Sequence, residues 1–269
     1  MKVNPIADTD FIIFFKTTQE EKVKKIESVL EKFNLLDQFN NKRVFIKPNL
    51  VSMEPFPTTT DPRVLDLLLN KLKKICKEIL VGDLPAQRGI KIEEHPLVKV
   101  TRQHEVKFTN FLDTELSQIT IDGESVKIYT LATTFDRIIS LPVLKEHKVC
   151  RMTFSLKNNV GFVERDYRNL LHKNVSLLNR TIAVLSTFFK PSLVIGDASK
   201  IMVEAQEVRW GGRERELGFF FISNNPVELD IFASQFLNLS YQDVPYLIES
   251  IKIWGRKECV IKDVTEDFH

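Results

Sequence analysis

The 269-residue chain carries 38 basic against 36 acidic side chains, is 43% hydrophobic, and has three cysteines and nine glycines. That length and apolar share exclude a disordered chain and allow one large α/β domain or two smaller ones. A net charge of +2 supplies no global attraction to nucleic acid or to an anionic membrane surface, so any charge preference has to be local.

In chain order, the apolar run Phe11–Phe15 reads as a short strand, and it is too short for the core of a signal segment. Val23, Ile26, Leu30, Phe33 and Leu36 recur at helical spacing over 20–39. Val44-Phe45-Ile46 is a β-branched and aromatic strand followed by Lys47-Pro48-Asn49. Thr58-Thr59-Thr60-Asp61-Pro62 opens a second helix: Asp61 suits the N-cap, Pro62 the first turn, and Leu65, Leu68, Leu69, Leu72 and Ile75 its buried face. Ile79-Leu80-Val81 is a strand ending in Gly82-Asp83.

Residues 97–135 change character. Ile119–Ile121 and Val126–Tyr129 flank Asp122-Gly123 and read as an inserted β-hairpin. Arg137–Pro142 is a strand leading into Val143–His147, and 175–189 is helical. Leu193–Ile195 runs into Gly196-Asp197, and Phe219–Ile222 runs into Ser223-Asn224-Asn225, where Pro226 and Glu228 fit a capping box for a further helix. The alternation predicts an α/β fold with a mainly parallel sheet flanked by helices, plus an inserted β-hairpin subdomain. No glycine-, serine- or proline-rich linker divides it, so a single domain over 1–269 is expected.

The sequence has no G-x-G-x-x-G, no P-loop and no G-x-S-x-G pattern, which removes the usual warrants for dinucleotide, nucleoside triphosphate and serine-hydrolase chemistry. Cys76, Cys150 and Cys259 form no C-x-x-C pair. A zinc site, a four-cysteine cluster and a disulfide framework therefore lack support, and a reducing cytoplasm is the expected compartment. No segment approaches the ~20 apolar residues of a membrane helix.

Five predicted strands end in polar or ionisable residues: Lys47 and Asn49, Asp83, Lys145 and His147, Asp197, and Asn224 with Asn225. In an open parallel sheet all carboxyl ends share one edge, where ligands bind, although loops after strands are polar in any case. Thr58–Thr60, with Thr59 and Thr60 nearest the helix start, offer hydroxyls where free N–H groups attract anions; plain capping is the simpler reading. Lys145 to Gly161 is the densest stretch, with Lys145, His147, Lys148, Arg151, Lys157 and Asn158, and such a field favours an anionic ligand and a lysine of lowered pKa. Cys150 within it reads as a buried thiol and His172 as a packed side chain, while no metal-type histidine spacing is present. Gly211-Gly212 permits either close backbone approach to a ligand or a plain turn.

At these residues the sequence resembles the family catalogued as domain of unknown function 362. The matching stretches are Ile46–Val51, Thr60-Asp61-Pro62, Val81-Gly82-Asp83, Leu141–His147, Thr153–Asn158 with Gly161, Asp197, Gly211-Gly212 and Val227–Asp230, over about 43–235. Many members carry an appended ferredoxin-like iron–sulfur domain, which implies redox company; its cysteines are absent from this chain. Two positions depart from the pattern. Glu146 stands where threonine is usual before the histidine, with an expected effect on charge beside His147, and Ala198 stands where glycine is usual.

The leading functional expectation is an enzyme for a small anionic substrate. Lys47, Asn49, Thr59, Thr60, Lys157, Asn158, Gly161, Gly211 and Gly212 would bind it. Lys145 or His147 would act as acid–base group, with Asp83 or Asp197 orienting or carrying a proton. A non-catalytic carrier for a cofactor, metal or iron–sulfur redox partner is the alternative, and a family member that has lost activity is a third. No nucleic-acid, membrane or metal partner is expected, and cofactor and oligomeric state are left open.

Overall fold

The computed structural model describes residues 9–267, so the ends of the expected 1–269 span lie outside it. A large sheet runs through the chain. Its path is β12 (Val260–Asp263), β1 (Phe11–Lys16), β11 (Arg213–Ser223), β10 (Leu193–Val203), β7 (Arg137–Leu141), β2 (Arg43–Pro48), β3 (Glu78–Asp83) and β4 (Lys107–Asn110). A short branch, β8 (Val143–His147) with β9 (Arg151–Thr153), continues alongside β10. Six pairings are parallel, and the exceptions are β1–β11, β10–β11 and β8–β9. The sheet is therefore mainly parallel, as the alternation of strands and helices requires.

Strand alternation sorts side chains to two faces. Ile13, Phe15, Val44, Ile46, Val81, Ile139, Leu141 and Ile195 join one apolar cluster with α1 (Lys22–Lys32), α2 (Pro62–Leu72) and α3 (Pro96–Gln103). Ile12, Phe45, Leu80, Ile138, Val194 and Phe221 join the other, with α4 (Ser155–Asn158), α5 (Arg165–Lys173), α6 (Val175–Phe188), α7 (Pro226–Ser234) and α8 (Pro245–Trp254). The expected hairpin forms a separate antiparallel pair, β5 (Leu116–Ile121) and β6 (Glu124–Tyr129), turning at Asp122-Gly123. It lies over the second cluster through Ile121, Val126 and Ile128. The start of α2 is as expected: Pro62 is its first residue and Asp61 accepts from the Arg63 N–H at 2.9 Å.

Three expectations need correction. The helix over 20–39 closes at Lys32, because Asn34 takes a left-handed φ of 51°. The Phe219–Ile222 strand is antiparallel to its neighbours, so Asn224 and Asn225 lie at the edge opposite the other strand ends. Asn225 does cap α7, accepting from the Val227 and Glu228 N–H groups. The Glu228 carboxylate, however, turns to Arg256 and the Lys257 N–H, so no reciprocal box forms.

The connection pattern locates a crevice. From β2 the chain steps outward to β3 and β4 on one side, whereas β7 lies on its other side. Such a reversal of strand order opens a gap beyond the carboxyl ends. β2 and β7 leave the sheet at Pro48 and Leu141, while β8 continues beside β10, which leaves Lys145 and His147 facing that gap.

Candidate functional site

A cavity of about 130 Å³ sits in this gap, room for on the order of ten waters. Lys47 and Asn49 reach it from the end of β2, Asp83 from β3, and Lys145 and His147 from β8. Lys145 and His147 are two apart on one strand and so share a face. Lys157 and Asn158 come from α4, Gly161 from the turn after it, Arg168 and His172 from α5, and Gln206 and Glu207 from the loop between β10 and β11.

The floor is a buried ion pair. Lys47 Nζ donates to Asp83 Oδ1 at 2.6 Å and to the Pro48 carbonyl at 3.0 Å. Asp83 also accepts from the Leu50 and Leu84 N–H groups. Desolvation still holds the Lys47 ammonium below the usual lysine range, against the pull of Asp83. Gly161 presses onto this pair: a Cβ there would lie 2.6 Å from Lys47 Nζ and 2.7 Å from Asp83 Oδ1. Arg168 is buried and donates to the carbonyls of Val163, Leu84 and Gly161, which ties α5 to the cavity wall. Asn158 donates to Ser140 Oγ at 3.0 Å and fixes α4 over the end of β7.

Several polar groups around the cavity have no partner. The Asn49 amide nitrogen and the Thr153 hydroxyl are buried without a hydrogen-bond partner, and the carbonyl oxygen of the Gln206 side chain is buried without a donor. The Lys157 ammonium makes no hydrogen bond or ion pair among the described residues, and desolvation lowers its pKa. Lys145 is 1% exposed, donates to the Thr58 carbonyl at 2.5 Å, and is pushed down to about 7 by burial, with the Glu207 carboxylate opposing that shift. Glu207 is itself engaged by Arg209 Nε at 2.6 Å and by the Trp210 indole N–H.

The two imidazoles are held differently. His147 Nδ1 accepts from the Val149 and Cys150 N–H groups, both at 3.1 Å, so its proton resides on Nε2. His172 Nδ1 lies 2.7 Å from the Arg168 carbonyl, which only accepts, so the proton is on Nδ1 and Nε2 keeps its lone pair. Burial, reinforced by the Lys157 charge, keeps both rings neutral by lowering their pKa values.

Lys47, Asn49, Asp83, Lys145, His147, Lys157, Asn158 and Gly161 thus line one cavity. The other sequence candidates do not. Asp197 is not where β10 ends, because the strand continues past a bulge to Val203. Its carboxylate sits in a separate buried cluster, 2.7 Å from Lys22, which also pairs with Asp61 at 2.7 Å. Thr60 accepts from the Asn49 N–H and donates to the Leu141 carbonyl, bolting β2 to β7, and Thr59 donates to the Glu54 carbonyl. Gly211 takes a left-handed φ of 86°, and Gly212 packs within 3 Å of where the Ala205 and Glu207 carbonyls would meet a Cβ. These glycines shape the loop that carries Glu207 rather than lining the cavity. Glu146 points to the opposite face of β8 from Lys145, where it accepts from the Glu204 N–H at 2.7 Å. Cys150 is buried with its pKa raised by burial, an inert thiol.

Sequence reasoning missed Thr153, Arg168, Gln206 and Glu207, and it read His172 only as a packed side chain. Arg168 and His172 are four apart on one helix and therefore share a face, a signal that the spacing carried. Gln206 and Glu207 reach the cavity through a loop whose course the sequence does not mark. Among the described residues no three of His, Cys, Asp and Glu converge as a metal site, and no helix is long and apolar enough to cross a membrane.

Fold and site together define an α/β protein with a polar cavity at a strand-order reversal. The structure is similar to that of the lactate racemase apoprotein from Thermoanaerobacterium thermosaccharolyticum, with a TM-score of 0.52 and 14% sequence identity over 81% of this chain. The match takes in 55% of that protein's length, and at this identity the likeness bears on fold alone. No curated protein matches the sequence. The chain belongs to the family described as domain of unknown function (DUF362), whose sequence model matches residues 44–235.

Proposed function

We propose that the cavity binds a small organic or inorganic anion and that the protein is an enzyme transferring a proton next to the bound anionic group. One observation carries this reading: the Lys157 ammonium and the buried Asn49 amide nitrogen line the cavity beside Lys145 without a hydrogen-bond partner among the described residues. A buried donor left unpaired, such as the Asn49 amide, costs free energy, and an oxyanion satisfies it together with the half-buried Lys157 ammonium. The two carboxylates on the wall, Asp83 and Glu207, are already engaged by cations and N–H groups, so the surplus charge facing the ligand is positive. Lys145, poised near 7, is the acid–base group of this reading. His147 is a hydrogen-bond donor and not a base, since its unprotonated nitrogen is covered by two N–H groups. Asp83 orients Lys47.

The test is thermal denaturation of the purified protein with phosphate, sulfate, acetate and glycolate in excess. A ligand present at a hundred times its Kd stabilises by about 2.7 kcal/mol, a readable shift. Stabilisation by at least one anion that is lost in Lys157→Met supports the reading. No shift with any of the four, or an equal shift in the variant, overturns it.

A further inference from the structure

The two imidazoles on the cavity wall are fixed in opposite tautomers, and this has a consequence for the ligand. His147 and His172 stand with ring centroids 5.8 Å apart, and both line the cavity. Each uses Nδ1 on protein backbone, so Nε2 is the nitrogen left for a ligand. On His147 that nitrogen carries a proton and donates; on His172 it carries a lone pair and accepts. A second acceptor lies on the same wall, the buried Gln206 side-chain oxygen without a partner. The cavity thus combines the surplus donors described above with two unpaired acceptors.

A fully deprotonated oxyanion satisfies the donors but leaves both acceptors facing oxygen lone pairs. An anion that keeps one O–H satisfies the donors and, through its proton, one of the two acceptors. Resting on the anion-binding reading, we propose that the site selects anions bearing an O–H group, and that His172 Nε2 is the acceptor that reads this proton while His147 Nε2–H donates to a neighbouring oxygen. His172 is then a specificity-determining residue. The O–H belongs either to a protonated phosphate or to a hydroxylated carboxylate, two sources of one chemistry.

Two matched pairs isolate the O–H. Phosphate and sulfate are tetrahedral anions of similar size, of which phosphate alone keeps a proton at pH 7. Glycolate and acetate are monocarboxylates that differ by a hydroxyl. Calorimetric Kd values for the four, in parent protein, His172→Phe and His172→Gln, give the readout. Leaving the His172 acceptor unpaired once a ligand displaces water from it corresponds to discrimination on the order of tenfold. The expected result is tighter binding of phosphate than sulfate, or of glycolate than acetate, with the stronger pair naming the source. That preference should vanish in His172→Phe and persist in His172→Gln, which keeps an acceptor. Equal affinity within both pairs overturns the proposal while leaving anion binding intact. Failure of all four to bind instead overturns the anion-binding reading on which it rests. Long-range 1H–15N spectra of the free protein check the premise separately: His172 protonated on Nε2, or His147 protonated on Nδ1, also overturns it.

Discussion

Gly161 offers the sharpest test of how the cavity floor is built. In Gly161→Ala the new Cβ would lie 2.6 Å from Lys47 Nζ, 2.7 Å from Asp83 Oδ1 and 2.9 Å from Lys47 Cε. Ordinary contacts begin at ~3.5 Å, so the ion pair has to retreat by ~1 Å. It has little room to do so. Asp83 is pinned by the Leu50 and Leu84 N–H groups at 2.8 and 2.7 Å, and Lys47 Nζ by the Pro48 carbonyl. Overpacking of this kind costs about 1–3 kcal/mol, rising to about 3–5 kcal/mol if the buried pair separates. At ~2–4 °C per kcal/mol for a chain approaching this size, the melting temperature should fall by roughly 2–12 °C at the lower cost. Differential scanning calorimetry measures it. Lys47→Ala removes two of the three clashing atoms, so the double variant should lose less stability than the sum of the single losses. Gly161→Ala with the parent's melting temperature and parent phosphate binding would refute the account of a floor held tight by backbone approach.

Three further outcomes are expected. Anion affinity should weaken as pH rises through about 7, because the free Lys145 ammonium is lost there, by up to about tenfold per pH unit above it; calorimetry across pH 6–9 should show no such slope in Lys145→Met. Lys22→Met leaves Asp61 and Asp197 without their shared buried cation and should cost about 3–5 kcal/mol in urea denaturation, while the phosphate response of the folded fraction persists. Asp230 accepts from the Ser155 and Leu156 N–H groups at the start of α4, and burial raises its carboxyl from 3.8 to about 7. Between those values the folded form holds a proton that the unfolded chain has lost, so this contribution to stability is present below about 4 and lost as pH rises to 7. Asp230→Asn should flatten that part of the stability profile measured by denaturant titration.

The strand–helix alternation, the hairpin at Asp122-Gly123 and the start of α2 were legible because each depends on local chemistry. Lys47, Asp83 and Lys145 could be placed together because parallel strands deliver their ends to one edge, whereas Lys157, on α4, stood out only through the local density of basic residues. Asn224 and Asn225 were not, since an apolar run such as Phe219–Ile222 carries no mark of its direction in a sheet. Asp197 resembled a strand end because Gly196 precedes it, yet a bulge lets β10 continue. The hydroxyl of Thr60 is claimed by a carbonyl 81 residues away, a demand that no local pattern displays. Glu207 enters through a loop fixed by Glu54, which accepts from the Val208 and Arg209 N–H groups across 154 and 155 residues.

The placement of β1 between β11 and β12 sets a constraint on the growing chain. Phe11–Phe15 leaves the ribosome before any other strand of the sheet, yet both of its hydrogen-bonding edges are filled only by strands made after residue 212. Phe11 and its partner Asn224 are 213 residues apart, roughly 10–40 s of synthesis at ~5–20 residues per second. Throughout that interval an apolar five-residue segment with open edges has to be shielded, and fragments ending before β11 should aggregate through it.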